Sequence, residues 1–130
     1  MSPSRFVERR GGRASSRTIV VVDDDDDISA ALKDILEEEG YRVEVAGNGI
    51  EAMALVKRLA CPPCLVILDL SMPWMNGSSV FAALQADPAL AQIPVVISTS
   101  NPSGAPSGLV VMKKPVDLGV LLETVRENCA

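Results

Sequence analysis

The stretch TIVVVDDDDDISAALKDILEEEG, residues 18–40, decides how this chain folds. Thr18 to Val22 is a continuous apolar run of strand length. A strand that is apolar throughout is one covered on both faces. The run breaks off in five aspartates, Asp23 to Asp27. Beyond them Ile28, Ala31, Leu32, Ile35 and Leu36 recur at the spacing of one helix face, and Gly40 supplies a stop. Strand, acidic turn and amphipathic helix together make the opening half of a βαβ unit.

The same order repeats along the chain. Tyr41 to Ala46 reads as a second strand, and Ala52, Leu55, Val56 and Leu59 mark a second helix closed by Pro62 and Pro63. Leu65 to Leu68 is a third strand that stops at Asp69. Val80, Phe81 and Leu84 predict a short third helix before Pro88. Pro94 to Ser98 and Leu109 to Met112 give two more strands. Asp117 then caps a last helix with the stripe Leu118, Leu121, Leu122 and Val125. Strands alternating with helices predict an α/β fold: a five-stranded parallel sheet, doubly wound, with helices on both faces. One connection breaks the order. Only nine residues, SNPSGAPSG, separate Thr99 from Leu109, whereas a parallel crossover with its helix needs about 10–12 or more. Two prolines and two glycines among them predict a helix that is missing or reduced to a loop.

Bulk composition fits this reading. The 130 residues suit one domain, and 48% hydrophobic against 22% charged is a globular balance. Aromatics at 3% leave Val, Leu, Ile and Ala to build the core, as a buried parallel sheet requires. No apolar run approaches the ~18 residues of a membrane span, and the N-terminus lacks the pattern of a secretory signal. Cys61, Cys64 and Cys129 form an odd, sparse set, which does not read as a disulfide framework and makes a reducing cytoplasm the simpler setting. Residues 1–17 carry five arginines against one glutamate, so the leader is +4 and the remainder, from a total of -5, is -9. The leader is rich in Gly and Ser and predicts a disordered basic segment at 1–17, ahead of one domain at 18–130.

In doubly wound sheets functional groups gather just beyond the carboxyl ends of the strands. There this sequence places Asp23 and Asp24, Asp69, Thr99, and Lys113 with Lys114. Carboxylates converging on one pocket repel each other. A hard divalent cation with oxygen ligands removes that cost, and Mg²⁺ suits a site of few carboxylates plus waters. A lysine and a hydroxyl add donors for phosphate oxygens. This set is what phosphoryl transfer to an aspartate requires. Asp25 to Asp27 read instead as the acidic first turn of a helix, favoured by its dipole.

Four segments, VVVDDDDDI at 20–28, LVILDLSMPWMNG at 65–77, IPVVISTS at 93–100 and KKPVD at 113–117, occur in order, each carrying the end of an apolar strand. Together they resemble a response-regulator receiver domain over about Thr18 to Asn128. The resemblance implies a flavodoxin-like sheet of order 2-1-3-4-5. It implies Asp69 as phosphoacceptor, Asp24 as direct metal ligand, Asp23 acting through the metal's waters, and the Ser71 backbone carbonyl completing the protein ligands to Mg²⁺. Lys114 would pair with the acceptor and then the phosphate, while Thr99 would bond the phosphoryl oxygen. Ser100 would keep access open, and Ser71 and Asn101 would tune hydrolysis. The implied phosphodonor is a sensor histidine kinase or histidine phosphotransfer protein. An unidentified protein would be the downstream target, with no DNA-binding domain in the 130 residues and no membrane insertion.

Departures from the resemblance bear on output. Val111 stands three residues before Lys114, where the family usually carries an aromatic switch. Together with the shortened fourth crossover, it predicts an altered output face. Cys61-Pro-Pro-Cys64 has the spacing of a redox dithiol but lies between a helix end and a strand start, not at the helix N-terminus that chemistry needs. Met72 and Met75 read as local packing, and Trp74 as a side chain exposed near the pocket. Two rival functions remain in view. A haloacid-dehalogenase-type phosphatase would need a DxDx[TV] motif after the first strand, and here more aspartates stand in its place. A phosphorylation-silent interaction module would keep the fold without the chemistry.

Overall fold

A computed structural model describes residues 17–70, 77–105 and 108–129. Its elements in chain order are β1 (Thr18–Val22), α1 (Asp26–Glu38), β2 (Arg42–Ala46), α2 (Gly49–Arg58), β3 (Leu65–Asp69), α3 (Gly77–Ala86), β4 (Val95–Thr99), β5 (Val110–Lys113) and α4 (Leu118–Asn128). The strands form one parallel sheet in the order β2-β1-β3-β4-β5. The predicted architecture is therefore the observed one, with strand boundaries shifted by a residue at β2, β3, β4 and β5.

The central strands β1, β3 and β4 are buried along their whole length, as continuous apolar runs demand. Side-chain alternation divides the core into two layers. Val20, Val22, Val66, Leu68, Val95 and Ile97 face α2 and α3, with Leu55, Val56, Val80 and Leu84. Ile19, Val21, Leu65, Ile67, Val96 and Met112 face α1 and α4, with Leu32, Leu36, Leu121 and Val125. These two faces fix which side of the sheet each strand-end residue leaves from.

Local chemistry closes the helices where the sequence indicates. Asp25 accepts the amides of Asp27 and Ile28 as the N-cap of α1, which removes two orphan donors. Gly40 takes a positive φ of 95° just past the helix, a conformation a side chain would resist. Asp117 caps α4 by accepting from Val120. Between β4 and β5 the described residues hold one 3₁₀ turn, Pro102–Gly104, so the fourth crossover is reduced as expected.

Two expectations are corrected. Leu118, assigned to the buried stripe of α4, is 51% exposed. The first turn of α4 lies past the last residue of the edge strand, so the helix meets the sheet through Leu121, Thr124 and Val125. The cysteines are not all free. Cys64 and Cys129 form a disulfide, leaving Cys61 as an exposed thiol. Cys64 directly precedes β3 and Cys129 caps the C-terminal end of α4. Both lie in the α1–α4 layer with Cα atoms 5.3 Å apart, inside the range a disulfide spans. A pairing across 65 positions has no signature in an odd cysteine count.

The leader lies outside the described residues up to position 16. Arg17, its last member, stacks over the Tyr41 ring at 4.5 Å and donates to the Cys129 carbonyl.

Candidate phosphoryl-transfer site

Parallel pairing brings the carboxyl ends of β1, β3 and β4 together with the residues that follow β5. Asp23 follows β1 on the α1–α4 side, two residues after Val21, and is buried. Its amide donates to the Ala46 carbonyl, and the hydroxyl of Ser29 in α1 donates to the Asp23 carbonyl at 3.4 Å. Asp69 ends β3 on the same side, two residues after Ile67, and is also buried. Asp24 is exposed. Asp23, Asp24 and Asp69 each offer a carboxylate oxygen within 4.8 Å of the others. Three oxygens so close carry a repulsion that a hard cation relieves, so these donors fit Mg²⁺.

The oxygens are not equivalent. Asp23 Oδ1 accepts the Asp25 amide at 2.9 Å, and its Oδ2 accepts Lys114 Nζ at 2.8 Å. Asp24 shows no hydrogen bond or ion pair among the described residues. The outward carboxylate is thus the available one, and the inward carboxylate is already bonded at both oxygens.

Lys114 reaches across the sheet from the end of β5. Its amide is held by the Thr99 carbonyl at 2.8 Å, and the Lys114–Pro115 peptide is cis. Its ammonium lies 2.8 Å from Asp23 and 3.6 Å from Asp69. The resemblance implied pairing with Asp69; the structure gives Asp23 the shorter contact. Burial works against this charge, but the hydrogen bond and charge of Asp23, followed by those of Asp69, outweigh it and hold the lysine above its ordinary pKa. The ammonium is therefore charged at neutral pH.

Thr99 ends β4, buried, and its hydroxyl accepts the Asn101 amide at 3.2 Å. It leaves the sheet on the α2–α3 side, two residues after Ile97. Ser100 is exposed beside it. Asn101 precedes the 3₁₀ turn and accepts from the Ser103 hydroxyl. Ser71, Met72, Trp74 and Met75 lie outside the described residues. Lys113 is exposed at the sheet edge and Val111 is half-buried against the α2–α3 layer.

Two features were not singled out from sequence. Ser98, in β4, carries a buried hydroxyl without a hydrogen-bond partner among the described residues; its signal in the sequence was a polar residue in an apolar strand. The second is an apolar groove lined by Ile28, Ala31 and Ile35 of α1 with Pro115, Val116 and Leu118, which Lys114 borders.

Comparison with known proteins converges on one family. The response regulator receiver domain pattern matches residues 19–126. The DNA-binding response regulator MtrA of Mycobacterium tuberculosis (strain ATCC 25618 / H37Rv) is 40% identical over 74 residues, which cover 57% of this chain and 30% of that protein. The chain matches about a third of the length of its curated relatives. The receiver domain of a signal transduction histidine kinase from Syntrophus aciditrophicus is 33% identical, with a TM-score of 0.77 over 86% of this chain and 89% of that one. The receiver domain of a sensor histidine kinase from Pseudomonas aeruginosa PAO1, described with a magnesium ion coordinated in its active-site cleft, shares the fold. Its TM-score is 0.78 over 88% of this chain and 98% of that one, at 20% identity.

Proposed function

The chain belongs to the response regulator receiver domain family, and we propose that Asp69 is the residue through which it accepts a phosphoryl group. The observation that carries this reading is the convergence of Asp23, Asp24, Asp69 and Lys114 at one sheet edge. Asp24 and Asp69 would hold Mg²⁺ directly, with the Ser71 carbonyl, and Asp23 would hold it through water. Bound there, the cation offsets the charge of the carboxylates and of the incoming phosphoryl oxygens.

In the reaction an Asp69 carboxylate oxygen attacks phosphorus. The new O–P bond forms as the P–N bond to the donor's phosphohistidine breaks, and the imidazole leaves with the bonding pair. Lys114 supplies a charged donor to the phosphoryl oxygens and Thr99 a hydroxyl. Ser100, small and exposed, keeps the approach open. Hydrolysis later returns Asp69 by water attack on phosphorus, with Ser71 and Asn101 setting the water's path. The protein is then a phosphoacceptor that assists its own turnover, with no separate substrate.

The donor is a sensor histidine kinase or histidine phosphotransfer protein, whose ATP-derived phosphoryl group implies a cytoplasmic setting. The apolar groove between α1 and the start of α4 suits a helix of that donor, because its border at Lys114 adjoins the acceptor. No described helix is long and apolar enough to cross a membrane. The downstream target is a protein that reads a face altered by the reduced β4–β5 crossover and by Val111.

Mass spectrometry after incubation with acetyl phosphate and Mg²⁺ tests the reading. One phosphoryl adduct, absent in Asp69→Asn, is expected. No adduct from acetyl phosphate or from a phosphorylated donor would leave the silent interaction module as the answer.

A further inference from the structure

Ser98 is 1% exposed, and its Oγ is the buried side-chain oxygen without a hydrogen-bond partner among the described residues. An orphaned buried hydroxyl costs stability, and such an orphan calls for a specific explanation. Its place in the sheet supplies one. Ser98 is the register partner of Asp69 on one side and of Met112 on the other. Val96, Ile67, Met112 and Val21 all face the α1–α4 layer. By alternation Ser98, Asp69 and Asp23 leave the sheet on that same face. Lys114, two residues beyond Met112, must cross β4 on this face to bring its ammonium to Asp69 on β3 and Asp23 beyond β1. Ser98 is the β4 residue that faces this crossing.

We propose that Ser98 is a positioning residue, whose hydroxyl is the second resting point of the Lys114 ammonium. The inference rests on the phosphoacceptor reading of Asp69. In the structure Lys114 is drawn toward Asp23, at 2.8 Å, and stands 3.6 Å from the acceptor. An ammonium has three donors and no acceptor, so one that moves from Asp23 toward Asp69, 3.6 Å away, still has a donor to give a neighbouring hydroxyl. The Ser98 oxygen can accept from Lys114 while its proton is donated to an Asp69 oxygen. The hydroxyl thus bridges lysine and acceptor once the Asp23 contact loosens. The orphan belongs to the arrangement shown, and its partners belong to the working one.

Opposite signs in two measurements test this. Ser98→Ala removes the orphan, so the metal-free protein is expected to melt several degrees higher. The same variant is expected to take phosphoryl groups from acetyl phosphate about 10- to 100-fold more slowly, the loss of one hydrogen bond to a charged group. Ser98→Cys, close in volume but a weak donor, should be slow as well. Ser98→Thr, which keeps the hydroxyl, should recover the rate. Ser98→Ala labelled at the wild-type rate would overturn the role of Ser98 and leave Asp69 standing. A wild-type protein that takes no label would overturn both. A slow variant that also melts lower, with Ser98→Thr no faster, would make Ser98 a packing residue and sink the proposal.

Discussion

At Lys114 three influences meet on one ammonium: burial, which opposes its charge, and the carboxylates of Asp23 and Asp69, which support it. The carboxylates prevail, so the folded pKa lies above the unfolded value of 10.5. The linkage sign follows. Above about pH 10.5 the unfolded chain loses this proton first, the native state binds more protons, and stability falls with rising pH. The contribution is complete below that pH and is lost as pH climbs through the folded value. Urea unfolding without Mg²⁺ should show a steeper fall as pH rises above about 10.5 in wild type than in Lys114→Met. Equal slopes would mean the lysine gains nothing from its partners. Asp24 makes the complementary case, since it is exposed and has no partner among the described residues. Mg²⁺ at one hundred times Kd should add about 2.7 kcal/mol, a rise of several degrees in Tm. In Asp24→Ala that rise should disappear.

The elements differ in how firmly they are held. The strands β1, β3 and β4 are covered on both faces, while β5 is an edge strand whose first residue, Val110, is 57% exposed. The crossover that would ordinarily cover it contributes a single 3₁₀ turn among the described residues. Local opening should be easiest where apolar cover is thinnest. Amide hydrogen exchange is expected to be faster in Val110–Lys113 than in Leu65–Asp69; equal protection would show that β5 opens only with the whole domain. The N-cap of α1 gives a second test at this scale. Asp25→Ala leaves the Asp27 and Ile28 amides unpaired and should lower stability by about 1 kcal/mol, while phosphoryl acceptance continues.

For the whole molecule the unexpected constraint is the Cys64–Cys129 bridge. It joins the amino end of β3 to the end of α4, at the opposite edge of the sheet from Asp69. Closing a loop of 65 positions restricts the unfolded chain by about 4 kcal/mol in the loop-entropy treatment. Reduction with dithiothreitol, or Cys129→Ser, should lower unfolding free energy by roughly that amount. The phosphoryl site, held by strand pairing, should remain intact. In a reducing compartment the thiol form is the one expected, so mass analysis of protein alkylated on extraction would report which form is present. An identical melting curve with and without reductant would remove the bridge from the account.

The sequence by itself determined the alternation of strands and helices, the acidic and basic residues at the strand ends, and the failure of the fourth crossover. Each is written in local patterning: apolar runs such as Leu65 to Leu68, helical spacing such as Leu32 and Leu36, and Pro-Gly content in SNPSGAPSG. Tertiary structure alone decided which atoms meet. It put Lys114 nearer Asp23 than Asp69, paired Cys64 with Cys129, turned Leu118 outward, and set Ser98 in register with the acceptor, its hydroxyl without a partner among the described residues. Those outcomes depend on register and on the distance between elements far apart in the chain, and local periodicity carries no information about either.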